Sequence, residues 1–202
     1  MNNYNPKENN IVVALDIGTT KVCAIAGRYN EHKRIDILAV GRVDSEGVSR
    51  GVISNIEKTA QAIHSAIALV ENAIKSKVDR VYVGIAGQHI RSMQHRGQIF
   101  RDNSVDEISK RDIDRLVADM HKLILSPGET ILHVIPQEYA VDNEQGIIDP
   151  IGMSGSRLEA DFHVITGQVA ASNNINRCVS ERNKLTIAEL TLEPIASSKA
   201  VL

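Results

Sequence analysis

The sequence has no tryptophan, two phenylalanines and four tyrosines among its 202 residues, and only two cysteines. So few aromatics leave no stacking platform for the bases of single-stranded nucleic acid. A formal charge of −2 supplies no basic face, so nucleic acid is excluded as a partner on a second count. Cys23 and Cys178 both lie in apolar segments. They form no disulfide framework and read as reduced core thiols of a cytosolic protein. No apolar run approaches the roughly 18 residues of a membrane-spanning helix. The first ten residues, MNNYNPKENN, lack the apolar centre of a signal peptide and read as a disordered tail. There is no internal repeat, no zinc-type Cys/His spacing and no Gly-Xaa-Ser-Xaa-Gly nucleophile elbow. What remains is ordinary globular composition. A chain of this length buries roughly 70% of its unfolded surface and needs no metal or disulfide to fold.

Three apolar, β-rich runs come first, at 11–17, 22–28 and 35–43. Their short polar connections predict neighbouring antiparallel strands. A helix is predicted from Ser54, with Glu57 as the partner in a capping box. Its stripe of Ile56, Ala60, Ile63, Ile67, Val70 and Ile74 follows helical spacing, and His64 beside the stripe reads as structural. Residues 81–87 form a strand too apolar for an exposed edge. The texture then changes to a polar stretch around Gln98-Ile99-Phe100. A second amphipathic helix is predicted over about 109–125, with Ile113, Leu116, Val117, Met120, Leu123 and Ile124 on one face and Ser126-Pro127-Gly128 as its stop. Residues 129–142 read as a long strand in which Pro136 forces a bulge or an edge position. Residues 146–155 read as turns. Strict alternation over 157–165 predicts a half-buried strand with one wet face. A third helix over 171–183, a strand over 185–192 and a helix from 193 complete the pass. The outer segments, 11–87 and 164–202, thus read as one domain, with an inserted module at 88–163 that runs strand–helix–strand–strand.

The sharpest local chemistry is Asp16-Ile17-Gly18-Thr19-Thr20-Lys21. It turns between two strands, so it is neither a P-loop nor a dinucleotide fingerprint. Gly18 permits a bend and clears space for a ligand, and successive N–H groups at such a turn converge on an anion. Thr19, Thr20 and Lys21 add hydroxyls and a point charge for phosphate oxygens. Asp16 suits Mg²⁺ held through its waters. The plain alternative is an ordinary β-hairpin turn. Glu193 heads the last helix, where the dipole favours an acid in any case. The polar residues His133, Gln137, Glu138 and Tyr139 read as structural or partner-contacting. Strand period sets Glu138 on the face opposite the other three unless Pro136 shifts the register. No catalytic residue is assigned.

Asp16 to Val22 resembles the first phosphate motif of the actin, Hsp70 and sugar-kinase superfamily. Leu192-Glu193-Pro194-Ile195-Ala196-Ser197-Ser198 resembles its connecting segment, which makes Glu193 a candidate for positioning the attacking water. More specific is the run Ile131-Leu132-His133-Val134-Ile135-Pro136-Gln137-Glu138-Tyr139-Ala140-Val141-Asp142, followed by Gly146-Ile147 and by Asp149 to Leu158. With Gly51-Val52-Ile53, Val81-Tyr82-Val83 and Gly87-Gln88-His89-Ile90, it resembles the FtsA family of bacterial cell-division proteins over nearly the whole chain from residue 11. The resemblance implies an α/β fold with an α+β insertion: an RNase H-like, actin-type first lobe with a mixed sheet (subdomain 1A), carrying an inserted subdomain 1C of SHS2 type. It implies a division scaffold that binds ATP and Mg²⁺ through Asp16, Gly18, Thr19, Thr20, Lys21 and Glu193, with Asp16 toward the metal. The resemblance leaves open whether the full-length parent weakly hydrolyses ATP or only binds it, and this fragment is expected to be inactive. Implied partners are further copies in filaments, FtsZ through a second lobe absent here, later division proteins through the insertion, and the inner face of the cell membrane through a C-terminal helix absent here. A PilM-type pilus-assembly protein and a sugar-kinase or Hsp70-type ATPase share the superfamily and stand as alternatives.

Overall fold

The computed structural model describes residues 11–101 and 105–201. The tail expected over 1–10 lies outside the described residues. β1 (Ile11–Ile17), β2 (Lys21–Tyr29) and β3 (Ile35–Asp44) form the expected antiparallel meander. The β2–β3 turn is built on Asn30, whose side-chain oxygen accepts from the N–H groups of His32 and Arg34, both at 3.0 Å. β4 (Val48–Ser49) and β5 (Val52–Ile53) pair in a short hairpin.

α1 spans Ile56–Ile74 and is capped by Asn55, not by the expected Ser54–Glu57 box. Asn55 accepts from the Lys58 N–H at 3.0 Å, while the Ser54 hydroxyl is turned back onto the Gly47 carbonyl. Asn caps as well as Ser, and the β5 hairpin had already committed Ser54. Ala60, Ile63, Ile67 and Val70 are buried as the stripe implied, Thr59 and Ala66 join them, and His64 is exposed. The helix ends at Lys75 in the left-handed conformation, with φ of 57°.

β6 (Arg80–Ile85) precedes the segment that the texture change had marked. There, β7 (Ile90–Phe100), α2 (Lys110–Met120), β8 (Glu129–Val141), β9 (Glu144–Ile147) and β10 (Arg157–Gln168) follow in order. α3 (Val169–Asn176) runs into a π-helical stretch at Arg177–Arg182. β11 (Thr186–Leu192) and α4 (Glu193–Val201) complete the described chain. Residues to His89 and from Ala170 form one compact unit, and Ile90–Val169 a second. β10 continues past 165, so the second unit closes at Val169 rather than at 163.

The first unit holds a five-stranded mixed sheet in the order β11-β6-β1-β2-β3. β6 is parallel to β1 and β11 is parallel to β6. Its core is Val13, Leu15, Val22, Ala24, Ile63, Val70, Val81, Val83 and Cys178 with their neighbours. Both cysteines are free. Cys178 is buried, whereas Cys23 is half-buried rather than in the core, because buried Val22 and Ala24 flank it on the opposite strand face.

The second unit is a four-stranded antiparallel sheet, β7-β10-β8-β9, with α2 against one face. Ile99, Ile108, Leu116, Met120, Tyr139, Leu158 and Phe162 form its core. α2 is five residues shorter at its end than expected. Successive N–H groups of His121, Lys122 and Leu123 bond three residues back, so the last turn tightens and unwinds before Ser126. Leu123 still packs against the core, but Ile124 is fully exposed. Its start is a Ser109–Asp112 capping box.

β8 has two bulges, one leaving Gln137 and one leaving Leu132 without partners on β10. Pro136 sits beside the first, where short β9 does not reach, so it is both at a bulge and on a free edge. The bulge changes the facing. Tyr139 turns into the core while exposed Glu138 pairs opposite half-buried Asp161 on the other face, and His133, opposite Ile165, shares that face. The expected grouping of His133 with Tyr139 is therefore corrected. β9 occupies part of the stretch read as turns, and β7 is the first strand expected of the module, here given its bounds within the polar stretch.

Candidate functional site

β1, β6 and β11 run parallel, so their carboxyl ends lie together. The crevice beyond such ends is where open α/β sheets bind ligands. Across the ends, Asp16 is opposite Gly84, and Gly84 is opposite Thr191. The β1–β2 turn is tight, with the Gly18 N–H donating to the Lys21 carbonyl at 3.0 Å. Gly18 is not in the left-handed region. Its need for glycine is spatial, since a Cβ there would lie 3.0 Å from the Lys21 carbonyl oxygen. Thr19 and Thr20 are exposed at the tip. The Thr20 carbonyl accepts from the Ser45 N–H at 3.1 Å, and the Thr19 hydroxyl accepts from the Gly51 N–H at 3.2 Å.

Glu193 begins α4 directly after β11. Its side chain lies across Gly84, with Cγ 3.3 Å from where a Cβ on that glycine would stand. Burial pushes the Glu193 carboxyl above its usual value, and the nearby Asp16 carboxylate pushes it further. Sequence order separates Asp16 and Glu193 widely, and the parallel register brings them to one end of the sheet. Among the described residues, Asp16, Lys21 and Glu193 form no ion pair.

All six residues expected from the sequence thus sit at one end of one sheet. Its glycines went unassigned in the sequence. Gly84 leaves room for Glu193, and Gly51 and Gly87 abut one another beside the turn, with a Gly51 Cβ only 2.8 Å from the Gly87 Cα. Gly51 and Gly87 both stood in quoted family segments, and Gly84 interrupts the apolar run of β6. No group of three or more His, Cys, Asp or Glu among the described residues could hold a metal unaided. The donor set fits Mg²⁺–phosphate nonetheless. The neighbouring Asp16 and Glu193 carboxyls would suit a cation that keeps its waters, and Thr19, Thr20 and Lys21 would supply donors to phosphate oxygens. No described helix is long and apolar enough to cross a membrane.

Residues 87–166 match the family model described as the SHS2 domain inserted in FtsA. Beyond it, the chain is 38% identical to the cell division protein FtsA of Pseudomonas aeruginosa, over 95% of this chain and 45% of that protein. It is 36% identical to FtsA of Neisseria meningitidis serogroup B, over 97% of this chain and 47% of that protein, and 32% identical to FtsA of Escherichia coli K12, over 96% and 46%. Among solved structures, a PilM–PilN type IV pilus biogenesis complex superposes with a TM-score of 0.58 at 13% identity, covering 92% of this chain and 48% of that one. That likeness concerns the fold, which is an actin-type α/β lobe with a mixed sheet plus a separate antiparallel module. The chain spans about half the length of the curated relatives it matches, and that half includes their inserted domain. It belongs to the FtsA family of cell-division proteins.

Proposed function

We propose that this chain is the part of an actin-like division scaffold that grips nucleotide phosphates and makes protein contacts through its SHS2 unit. The supporting observation is the convergence of the Asp16–Lys21 turn and Glu193 at the carboxyl ends of β1, β6 and β11. The nucleotide is ATP with Mg²⁺, which together supply a transferable phosphoryl group and its charge neutralisation. Lys21 and the threonine hydroxyls hold phosphate oxygens, Gly18 keeps the approach clear, and Asp16 takes the cation through water. Glu193, with its raised pKa, orients water near the phosphates. In the whole protein this lobe works with a second one that receives FtsZ, and the scaffold ties the FtsZ ring to the inner face of the membrane. Copies associate into filaments, and the SHS2 unit recruits later division proteins.

Phosphoryl transfer depends on positioning and charge stabilisation from all sides of the phosphates. One turn without a facing lobe gives affinity of about 1 mM or weaker, near −4 kcal/mol, and no measurable hydrolysis by this chain alone. Calorimetric titration of ATP and Mg²⁺ into a chain of the relatives' full length is the test. Lys21→Ala removes a charge-assisted hydrogen bond and weakens binding by about 10- to 150-fold. Gly18→Val closes the backbone approach. Unchanged binding by both would reduce the turn to an ordinary hairpin. Capture of FtsZ by the same full-length chain supports the division role. Capture of a pilus membrane peptide instead moves the reading to pilus assembly.

A further inference from the structure

The Thr19 hydroxyl has one proton and two lone pairs. Gly51 donates its N–H to that oxygen at 3.2 Å. A hydroxyl that already accepts one bond from the protein is free to send its proton outward, as a donor. We infer that Gly51, backed by Gly87, sets the Thr19 hydroxyl as a hydrogen-bond donor and so selects an anionic phosphate oxygen on that side of the turn. The inference rests on the phosphate reading above and adds two residues to it.

The geometry leaves little freedom for Gly51 to do otherwise. Gly51 has φ of 75°, a region that favours glycine, and follows Arg50 at 50°. A Cβ on Gly51 would lie 2.8 Å from the Gly87 Cα and 2.9 Å from the Ala86 carbonyl oxygen. Gly87 has φ of 132°, and a Cβ on it would lie 2.9 Å from the Gly51 carbonyl oxygen and 3.0 Å from the His89 ring. That ring is buried, and neither of its nitrogens has a partner. His89 therefore contributes bulk under Gly87 rather than a hydrogen bond. The stack of His89, Gly87 and Gly51 fixes where the Gly51 N–H points, and the N–H fixes the polarity of Thr19. Asp16 and Glu193, when ionised, can only accept, so they would face a cation while Thr19 faces an anion. Gly51 and Gly87 are positioning residues, since both act through Thr19.

The test is an NMR titration of the 202-residue chain with ATP and Mg²⁺, a method suited to millimolar affinities, on the parent and on Thr19→Val, Thr19→Ser, Gly87→Ala and the Thr19→Val/Gly87→Ala double variant. Without ligand, the Gly51 amide resonance should move upfield in Thr19→Val and stay near the parent in Thr19→Ser. With ATP, Thr19→Val should weaken binding by about tenfold or more, and Thr19→Ser should restore it. Gly87→Ala should weaken binding comparably, and the double variant should be no worse than Thr19→Val alone, because both changes remove the same bond. Thr19 is exposed, so its variants fold even if Gly87→Ala does not. Thr19→Val binding ATP as the parent does, an unmoved Gly51 amide, or additive losses in the double variant would each overturn the inference while leaving phosphate binding intact. A parent chain whose turn resonances do not respond to ATP at all would overturn the phosphate reading, and this inference with it.

Discussion

Leu116→Ala is the sharpest test of the inserted unit. Leu116 is fully buried at the centre of α2, within a cluster that includes Ile99, Met120, Tyr139, Leu158 and Phe162. Truncation removes three carbons, about 2.4 kcal/mol of transfer free energy at about 0.8 kcal/mol each. A residual cavity on the order of 50 Å³ adds about 1.2 kcal/mol. The expected loss is about 3–4 kcal/mol, inside the roughly 2–5 kcal/mol span of such changes. The chain has no tryptophan, so fluorescence reports poorly. Hydrogen exchange read by mass spectrometry on β10 peptides follows this unit alone, and its protection should fall by about 300-fold. Ile124→Ala is the control. It belonged to the same apolar face on sequence grounds yet is fully exposed, so its cost should stay within about 0.5 kcal/mol. Leu116→Ala costing under about 0.5 kcal/mol, or Ile124→Ala costing as much as Leu116→Ala, would refute the position of α2.

Lys75→Gly should stabilise the first unit by about 1 kcal/mol, because Lys75 ends α1 in the left-handed region; a lowered melting temperature would contradict this. The folded pKa of Glu193 is raised, first by burial and then by Asp16, so its contribution to stability is full below pH 4.5 and is lost as pH rises through the folded value. Glu193→Gln should therefore exceed the parent in stability near pH 7, with the advantage fading toward pH 4.5; a pH-independent difference in thermal melts would refute the cause. Burial lowers the pKa of His89, so its contribution is full above pH 6.5 and is lost as pH falls from there through the folded value. His89→Phe should flatten that acid-side slope in melts between pH 5 and 7, and an unchanged slope would place the titrating group elsewhere.

Much of the first unit was legible because its signals are local. The α1 stripe repeats at helical spacing and buries as spaced, and the three opening strands are separated by turns short enough to force antiparallel neighbours. The misreadings share a different cause. β7 was expected only as an unplaced first strand, because Arg91, Ser92, Gln94, His95 and Arg96 are all exposed; backbone pairing to β10 holds that stretch, and buried Ile99 anchors the strand near its end. The facing of His133, Glu138 and Tyr139 turns on where β8 bulges against β10, a property of two strands and not of either sequence. In the candidate site the turn itself was legible, but its glycine neighbours were not. Gly51, Gly84 and Gly87 have no side chains to advertise a role, and each matters only for what it allows to come close.

One topological rule ties the site to the sheet. The connection from β1 through α1 to β6 and the connection from β6 to β11 both step in the same direction along the sheet. Right-handed crossovers that step the same way place their helices on the same face. The π-helical segment accordingly meets α1, with Asn183 donating to the Ala60 carbonyl at 3.0 Å and Cys178 reaching the Ile56 carbonyl. On the other face, the cross-strand row of Val40, Ile25, Ala14 and Tyr82 is exposed among the described residues. The same two parallel steps give β1, β6 and β11 a common polarity. Reversing β1 or β11 would send Asp16 and Glu193 to opposite ends of the sheet and remove the carboxylate that adds to burial in raising the Glu193 pKa. The proximity of the two carboxyls is therefore a consequence of the crossover topology, and the topology that leaves one sheet face exposed among the described residues is the same one that gathers the β1–β2 turn and Glu193 at a single end.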